Sequence, residues 1–577
     1  MNTPGMDELL RDPGYPGFDQ AFLETDVYHS PARLLREEDL EKFWLLEFRW
    51  PNGLTPLGMT AAELCYSWAS QAAVHEAPVP VSMGFDIRFV GPHCYAAELP
   101  MVSDWELENR SQRFDLVVPP FVENFAEIWR EESGVLLAAA RSLETFRTDG
   151  RSLSELAAYL RDVRANLRWS WERHFVLMYR LLAQQVSFYD FCDELQISRA
   201  DVSSLLQGYP NKVVDSDEAL WRVAERGRDL GLGSELNRDH PRAGEFLDRL
   251  AAGSGDGSEW VQEFNSYLDE WGWRNDVPMD PASSAWIEDP AKPLAMIRTL
   301  LADGESHDFA AARAAARERR ETTEENIKSR LTRPEIEVFL KALKSVRKAN
   351  FVWWNEDHNF YIDMRAGIPL RRAAAAIGRV LNLADPLDTL FCFYPELMAL
   401  AEGRLQWDGM RGLIDERKSY YQMWLAKRSM MPKTLGEPPT EFSDPIFTEL
   451  EGVTPEFLDA LTTAGVVDKL KGMTACAGRA RGPARLVRSG NDLGDIEPGD
   501  IMVCEGTAPS WTLAFTKIAG CLTDQGGALC HAAIVSREYD VPCIVALGIA
   551  TTSIADGDII EMDGELGEVV IHRQQPK

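Results

Sequence analysis

The chain is short of positive charge. Sixty lysines and arginines stand against 91 aspartates and glutamates, a formal net charge of −31 over 577 residues. Nucleic-acid binding needs a basic footprint, so that class of partner is excluded. The acidic balance suits a protein in water that docks onto a less acidic partner. No apolar run is long enough to cross a bilayer, and Met1-Asn2-Thr3-Pro4-Gly5 lacks the basic-then-apolar pattern of an export signal. The expectation is a cytoplasmic chain with no membrane partner. Nine cysteines are scattered without a C-x-x-C pair or zinc-finger spacing, which argues for reduced thiols and no metal site rather than a disulfide framework. No P-loop G-x-x-x-x-G-K-[ST] occurs either.

What is present is length, tryptophan and helical periodicity. The chain is long enough for about two to four domains and a substantial core. Most of its 17 tryptophans are expected in helix packing, with some lining a pocket for a flat ligand. Residues 33–56 look helix-like up to the turn Trp50-Pro51-Asn52-Gly53. Residues 84–90 and 95–99 form a hairpin around Gly91-Pro92. Residues 151–350 are largely helical, and 170–186 and 313–348 carry apolar residues at helical spacing. Arg317-Glu318-Arg319-Arg320-Glu321 has the pattern of a solvated helix face. The proline-bearing stretch 431–440 ends the helical region as a stiff linker, and from Ala475 the pattern turns to short strands and glycine turns. The fold class is multidomain α+β: a mainly helical domain over 1–430, a hinge over 431–474 and a small β/α domain over 475–577.

The densest chemistry lies in Thr523-Asp524-Gln525-Gly526-Gly527-Ala528-Leu529-Cys530-His531-Ala532-Ala533-Ile534-Val535-Ser536-Arg537-Glu538. A buried strand over 517–524 runs into a Gly-Gly turn, and a small-residue helix follows over 529–538. His531 falls in the first helical turn, where unpaired N–H groups and the helix dipole favour an anion. Neutral imidazole is plentiful near pH 7 and is a competent nucleophile. The placement therefore suits a histidine that carries a phosphoryl group.

The same stretch resembles the phosphohistidine segment of the phosphoenolpyruvate-utilising and dikinase family, T-D-x-G-G-x-x-x-H-A-A-I-V-x-R-E. The likeness continues upstream through Pro498-Gly499-Asp500, Thr507, Pro509 and Trp511, and downstream through Val541-Pro542, Asp556-Gly557-Asp558 and Met562-Asp563-Gly564. It implies a swivelling phosphohistidine domain whose loop is formed by Thr523, Asp524, Gly526, Gly527, Cys530 and Arg537. Leu529 stands where many members have a regulatory threonine, and cysteine is common in the family at Cys530. Three upstream segments resemble the acceptor-binding domain of rifampin phosphotransferases: 206–212, 271–275 and 355–365. In the second, Trp273 replaces a histidine of the relatives.

The glycine-rich loop and metal ligands of an ATP-grasp module are not evident, nor is a pyruvate-binding barrel. The resemblance then implies the phosphohistidine subunit of a two-component enzyme similar to phenylphosphate synthase. ATP and Mg2+ would sit on a separate ATP-grasp subunit, none bound by this chain, with AMP and phosphate as co-products. The acceptor would be the hydroxyl of a small phenolic compound. A rifampin-type antibiotic phosphotransferase component and a non-catalytic phosphocarrier are the alternatives. For the acceptor side, Glu356-Asp357-His358 with Asp363 and Arg365 is the leading cluster. On a continuous helix His358 and Arg365 share a face, His358 as base and Arg365 as phosphate holder. Arg274 is a second phosphate holder. Trp273, Trp353, Trp354, Asp357 and Asp363 are candidate substrate contacts.

Overall fold

A computed structural model describes residues 6–18, 33–100, 103–253, 255–275, 277–302, 309–440, 442, 444–462 and 467–573. The N-terminal stretch Met1–Gly5 lies outside them. The chain divides into two compact units. One comprises Met1–Ala183, Val277–Ser284 and Tyr361–Asp444, the other Gln184–Asp276, Ala285–Phe360 and Pro445–Lys577.

The first unit is built on a four-stranded antiparallel sheet of β1 (Trp44–Leu46), β2 (Ser82–Val90), β3 (His93–Pro100) and β4 (Thr434–Leu435), in the order β2-β3-β1-β4. The expected hairpin is there, with Gly91 at φ 57° between its strands. The expected helix over 33–56 is not. Its place is taken by a 3-10 turn at Glu37–Glu41 and by β1, whose three residues are all buried. The partners of β1 on β3 and β4, Ala96 and Thr434, are distant in sequence, so local periodicity could not reveal the ladder. The long helices α1 (Asp104–Glu144) and the start of α2 (Leu153–Glu194) belong here as well.

Helices and a mixed eight-stranded sheet make up the second unit. Among the helices are α3 (Lys212–Asp229), α4 (Phe309–Arg330) and α5 (Phe351–Asp357). The strands are β5 (Lys469–Lys471), β6 (Met473–Cys476), β7 (Arg479–Leu486), β8 (Ile501–Cys504), β9 (Gly520–Thr523), β10 (Cys543–Val545), β11 (Ile559–Asp563) and β12 (Glu568–His572). They run in the order β5-β12-β11-β7-β8-β9-β10-β6, with β7, β8, β9 and β10 parallel. β8, β9 and β10 are buried along their whole length, which is why Ile-Met-Val-Cys, Gly-Cys-Leu-Thr and Cys-Ile-Val read as unbroken small or apolar runs. The helix α6 (His531–Glu538) connects β9 to β10 and packs against both. The large helical region with a small C-terminal β/α domain is the expected fold class. Among the described residues no helix is long and apolar enough to cross a membrane.

Candidate functional site

The loop between β9 and α6 is held at both ends by side chains and in the middle by backbone. The Asp524 carboxylate accepts the Thr551 N–H at 2.9 Å and also bonds the Thr551 hydroxyl, while the Thr523 hydroxyl donates to the Gln525 carbonyl at 2.6 Å. Arg537 reaches back to the Ala528 carbonyl at 2.8 Å, so its guanidinium braces the loop instead of facing a phosphate. A π-helical turn at Ile446–Leu450 lies alongside. Its end presents the carbonyls of Glu451, Leu450 and Glu449 to the N–H groups of Gly526, Gly527 and Leu529, at 2.9, 2.9 and 2.8 Å. A Cβ on Gly527 would sit 2.4 Å from the Glu449 carbonyl oxygen, and Gly526 has φ 114°. Gly527 is therefore required by the approach of that strap, and Gly526 by its positive φ and by the Cys530 sulfur, 2.7 Å from where a Cβ would sit.

Cys530 is the N-cap of α6, its sulfur accepting the Ala533 N–H at 3.4 Å. Burial pushes the thiol up to about 12, so it stays protonated and acts as a cap. One N–H of the helix start, expected to be open to an anion, is thereby already taken. His531 is the first helical residue. Its Nδ1 meets the Thr507 hydroxyl at 2.7 Å. Nε2 makes no hydrogen bond among the described residues, is closed to solvent, and lies 3.7 Å from Oε2 of Glu356, whose side chain is 4% exposed. Burial first, and then the positive charge of Arg274, push the imidazole down to about 3. It is neutral at any ordinary pH, and a proton on Nδ1 donated to Thr507 leaves the Nε2 lone pair as the nucleophile.

Arg274 sits in a cage of its own. Nη1 donates to the Ser216 hydroxyl at 2.9 Å and lies 3.5 Å from Asp217, and the guanidinium lies over the Trp286 ring at 4.2 Å. Asp217 and Arg274 are both buried, and burial raises Asp217 to about 6 against the pull of Arg274. Nε and Nη2 of Arg274 are buried without a hydrogen bond among the described residues. Adjacent donors on a planar guanidinium match two oxygens of a phosphoryl group. The 3-10 helix Pro509–Thr516 packs against both α3 and α6 and adds two further buried donors in the same condition, Ser510 Oγ and Trp511 Nε1.

Other candidates are placed differently. α5 ends at Asp357, a 3-10 turn covers His358–Phe360, and turns follow to Gly367, so His358 and Arg365 share no helical face. His358 Nδ1 meets the Trp354 carbonyl at 2.9 Å and its ring stacks on Trp354 at 4.2 Å. The group set against His531 Nε2 is Glu356, not His358. Arg365 and Asp363 fall in the first unit. There Arg365 makes a buried two-pronged pair with Glu144, at 2.8 and 3.0 Å, so its fork already has a carboxylate. Asp363 lies 3.5 Å from His174. Trp354 is fully buried in packing, not on a pocket wall. Trp353 is partly exposed and donates to the Pro210 carbonyl at 2.6 Å, and Asp357 accepts the Lys212 N–H at 2.9 Å at the start of α3. Trp273 is half-buried beside Arg274 in the chain. The roles of Glu356 and Thr507 were missed: both stood inside quoted motifs, but nothing local tied either to the histidine.

Comparison with known proteins matches both sides of this arrangement. Residues 496–567, which hold Thr507 and His531, match the mobile domain of PEP-utilising enzymes. Residues 174–356, which hold Asp217, Arg274 and Glu356, match the fourth domain of rifampicin phosphotransferase. The chain is similar to chondramide synthase cmdD of Chondromyces crocatus, 27% identical over 84% of this chain and 13% of that protein. It is similar to an uncharacterised phosphotransferase of Bacillus subtilis, YvkC, 24% identical over 93% of this chain and 63% of the relative. A third relative is rifampicin phosphotransferase of Streptomyces sviceus, 27% identical over 60% of this chain and 40% of that protein. The chain thus spans less than two thirds of the length of each of these relatives. The histidine-bearing segment and the helical segment set against it are thus similar to the mobile domain of PEP-utilising enzymes and to the fourth domain of rifampicin phosphotransferase, respectively.

Proposed function

We propose that His531 Nε2 carries a phosphoryl group from ATP to the hydroxyl of a small aromatic compound. In this reading a separate ATP-grasp subunit holds ATP and Mg2+, and AMP and phosphate are the co-products. The nitrogen–phosphorus bond on Nε2 breaks as the acceptor oxygen bonds to phosphorus, and the hydroxyl proton passes to Glu356. Arg274 offers Nε and Nη2 to the equatorial oxygens. The observation that carries the reading is the pairing of a solvent-closed, neutral Nε2 with a carboxylate at 3.7 Å. A phosphoryl group on Nε2 beside an ionised Glu356 suffers charge repulsion, which Arg274 offsets. An acceptor hydroxyl donating to Glu356 relieves it further.

A phenol suits this base because its proton leaves near pH ~10, within reach of a modest acceptor in a dry site. A rifampicin-type alcohol is the second reading, favoured by the match of residues 174–356 to the fourth domain of rifampicin phosphotransferase. Chemical phosphorylation with phosphoramidate tests the carrier. Nε2-phosphohistidine is expected by 31P NMR, assigned to His531 by mass spectrometry and lost in His531→Ala. Label on Nδ1, or none on His531 after prolonged exposure, refutes it. The isolated chain is expected not to hydrolyse ATP, and robust hydrolysis refutes the division of labour.

A further inference from the structure

One end of α6 carries His531; the other carries Glu538. Seven residues apart, they lie on one face, about 10 Å from end to end. The carboxylate of Glu538 accepts the N–H of Gly208 at 3.1 Å. Arg319 and Arg320 are close enough to act on it, and burial raises it against their pull and that of the Gly208 N–H.

Gly208 belongs to a loop tied throughout to the helical part of this unit. Arg347 donates to the Leu205 carbonyl, Asn350 to Leu206, Arg320 to Gln207 and Trp353 to Pro210. The Arg320 guanidinium also lies 4.4 Å over the Tyr209 ring. Gly208 has φ 74°, and a Cβ there would sit 2.9 Å from Cβ of Ala316 on α4. The loop is rigid on the helical side, and the N–H it holds out is met by the mobile domain.

We infer that Glu538 is a positioning residue: it anchors the far end of the phosphohistidine helix on the Gly208 loop and thereby sets the angle at which His531 Nε2 meets Glu356 and Arg274. Its functional meaning rests on the phosphocarrier reading, but the anchor itself does not. Because α6 packs on β9 and β10, the helix and its sheet move as one body, and the Glu538 anchor fixes the direction in which that body presents His531. A carboxylate two turns from the nucleophile thus acts on transfer without touching the phosphoryl group.

The test compares the full wild-type chain with Glu538→Ala, Glu538→Gln and Glu538→Asp. Hydrogen exchange over 205–210 and 526–531 reports the anchor without reference to catalysis, and the rate of phosphoramidate labelling of His531 reports access to Nε2. Glu538→Ala is expected to raise both by about tenfold, the equilibrium shift that one hydrogen bond to a charged group carries. The amide oxygen of Gln still accepts the Gly208 N–H, so Glu538→Gln is expected near wild type. Asp is one methylene too short and is expected to behave as Ala, which keeps the comparison available if Ala does not fold. Melting temperature, unlike exchange and labelling, is expected to change little across the set. Unchanged exchange and labelling in Ala or Asp overturns the inference, as does a Gln variant as open as Ala. Raised exchange with no label on His531 in any chain supports the anchor and refutes the carrier reading instead.

Discussion

Glu356 Oε2 and His531 Nε2 face each other across 3.7 Å, both side chains almost closed to solvent. The carboxylate belongs to the helical part of the second unit and the imidazole to its mobile domain. At that distance there is no hydrogen bond between them, but a hydroxyl entering beside the pair can donate its proton to the carboxylate while its oxygen attacks a phosphoryl group carried on the imidazole. The tautomer that permits this is the one in which Nδ1–H donates to the Thr507 hydroxyl, and burial, then the charge of Arg274, keeps the ring neutral. Each of these dependences has a measurable consequence.

Thr507→Val removes the hydroxyl that meets Nδ1 at 2.7 Å. The Nδ1–H tautomer then loses its acceptor, and phosphorylation of His531 is expected to slow by about tenfold, the worth of one buried hydrogen bond. Nitrogen chemical shifts of the imidazole report the tautomer directly. Unchanged labelling and an unchanged tautomer would show that Thr507 does not orient the ring.

Arg365→Ala is expected to act on stability and not on phosphoryl chemistry. Its partner Glu144 would be left as an unpaired buried charge, a loss of about 3–5 kcal/mol. Urea unfolding measures this, and labelling of His531 per folded molecule is expected to stay at the wild-type level. Lost labelling in a folded variant would return Arg365 to the phosphoryl site.

Why the sequence led to Arg365 is a matter of range. Local constraints were legible: the Gly-Gly turn and the apolar strand before it follow from neighbouring residues, whereas the helix starts at His531 and not at Leu529 because Cys530 caps it. Arg274 was legible as an arginine in a turn of the helical region. The end of α5 at Asp357 was not, because Asn359 to Met364 break no periodicity that single-sequence reading can see. His358 and Arg365 were therefore placed on one face of a helix that stops before either. Glu356 stood in the leading cluster but was given no role of its own, because its counterpart His531 lies far along the chain and only folding brings the two together. The strand β1 was missed for the same reason, since both of its partners are remote.

The pH dependence of stability carries a sign. An exposed histidine titrates near about 6.5, whereas His531 is held down to about 3. Between those values the open chain binds a proton that the folded site refuses, so stability falls as pH drops from about 6.5 toward 3 and is restored above 6.5. Asp217, raised to about 6, works oppositely: its contribution is present below its ordinary carboxylate range and is lost as pH rises through about 6. Both chains of a comparison between wild type and His531→Asn retain Asp217. The wild type is expected to show the steeper fall of melting temperature on acidification below pH about 6.5. Parallel curves would mean that His531 is not buried as a neutral base.

The most direct measurement follows the phosphoryl group out of the protein. The chain is phosphorylated with phosphoramidate, freed of reagent, and mixed with phenol and ring-substituted phenols while 31P NMR monitors phospho-His531 and the aryl phosphate. Acceptor-dependent loss of the phosphohistidine signal, with a matching gain of aryl phosphate, is expected. Glu356→Gln is expected to keep the label but pass it on about a hundredfold more slowly, the usual worth of a general base. A phosphohistidine that decays to inorganic phosphate at one rate, with or without phenols and with or without Glu356, would contradict the account.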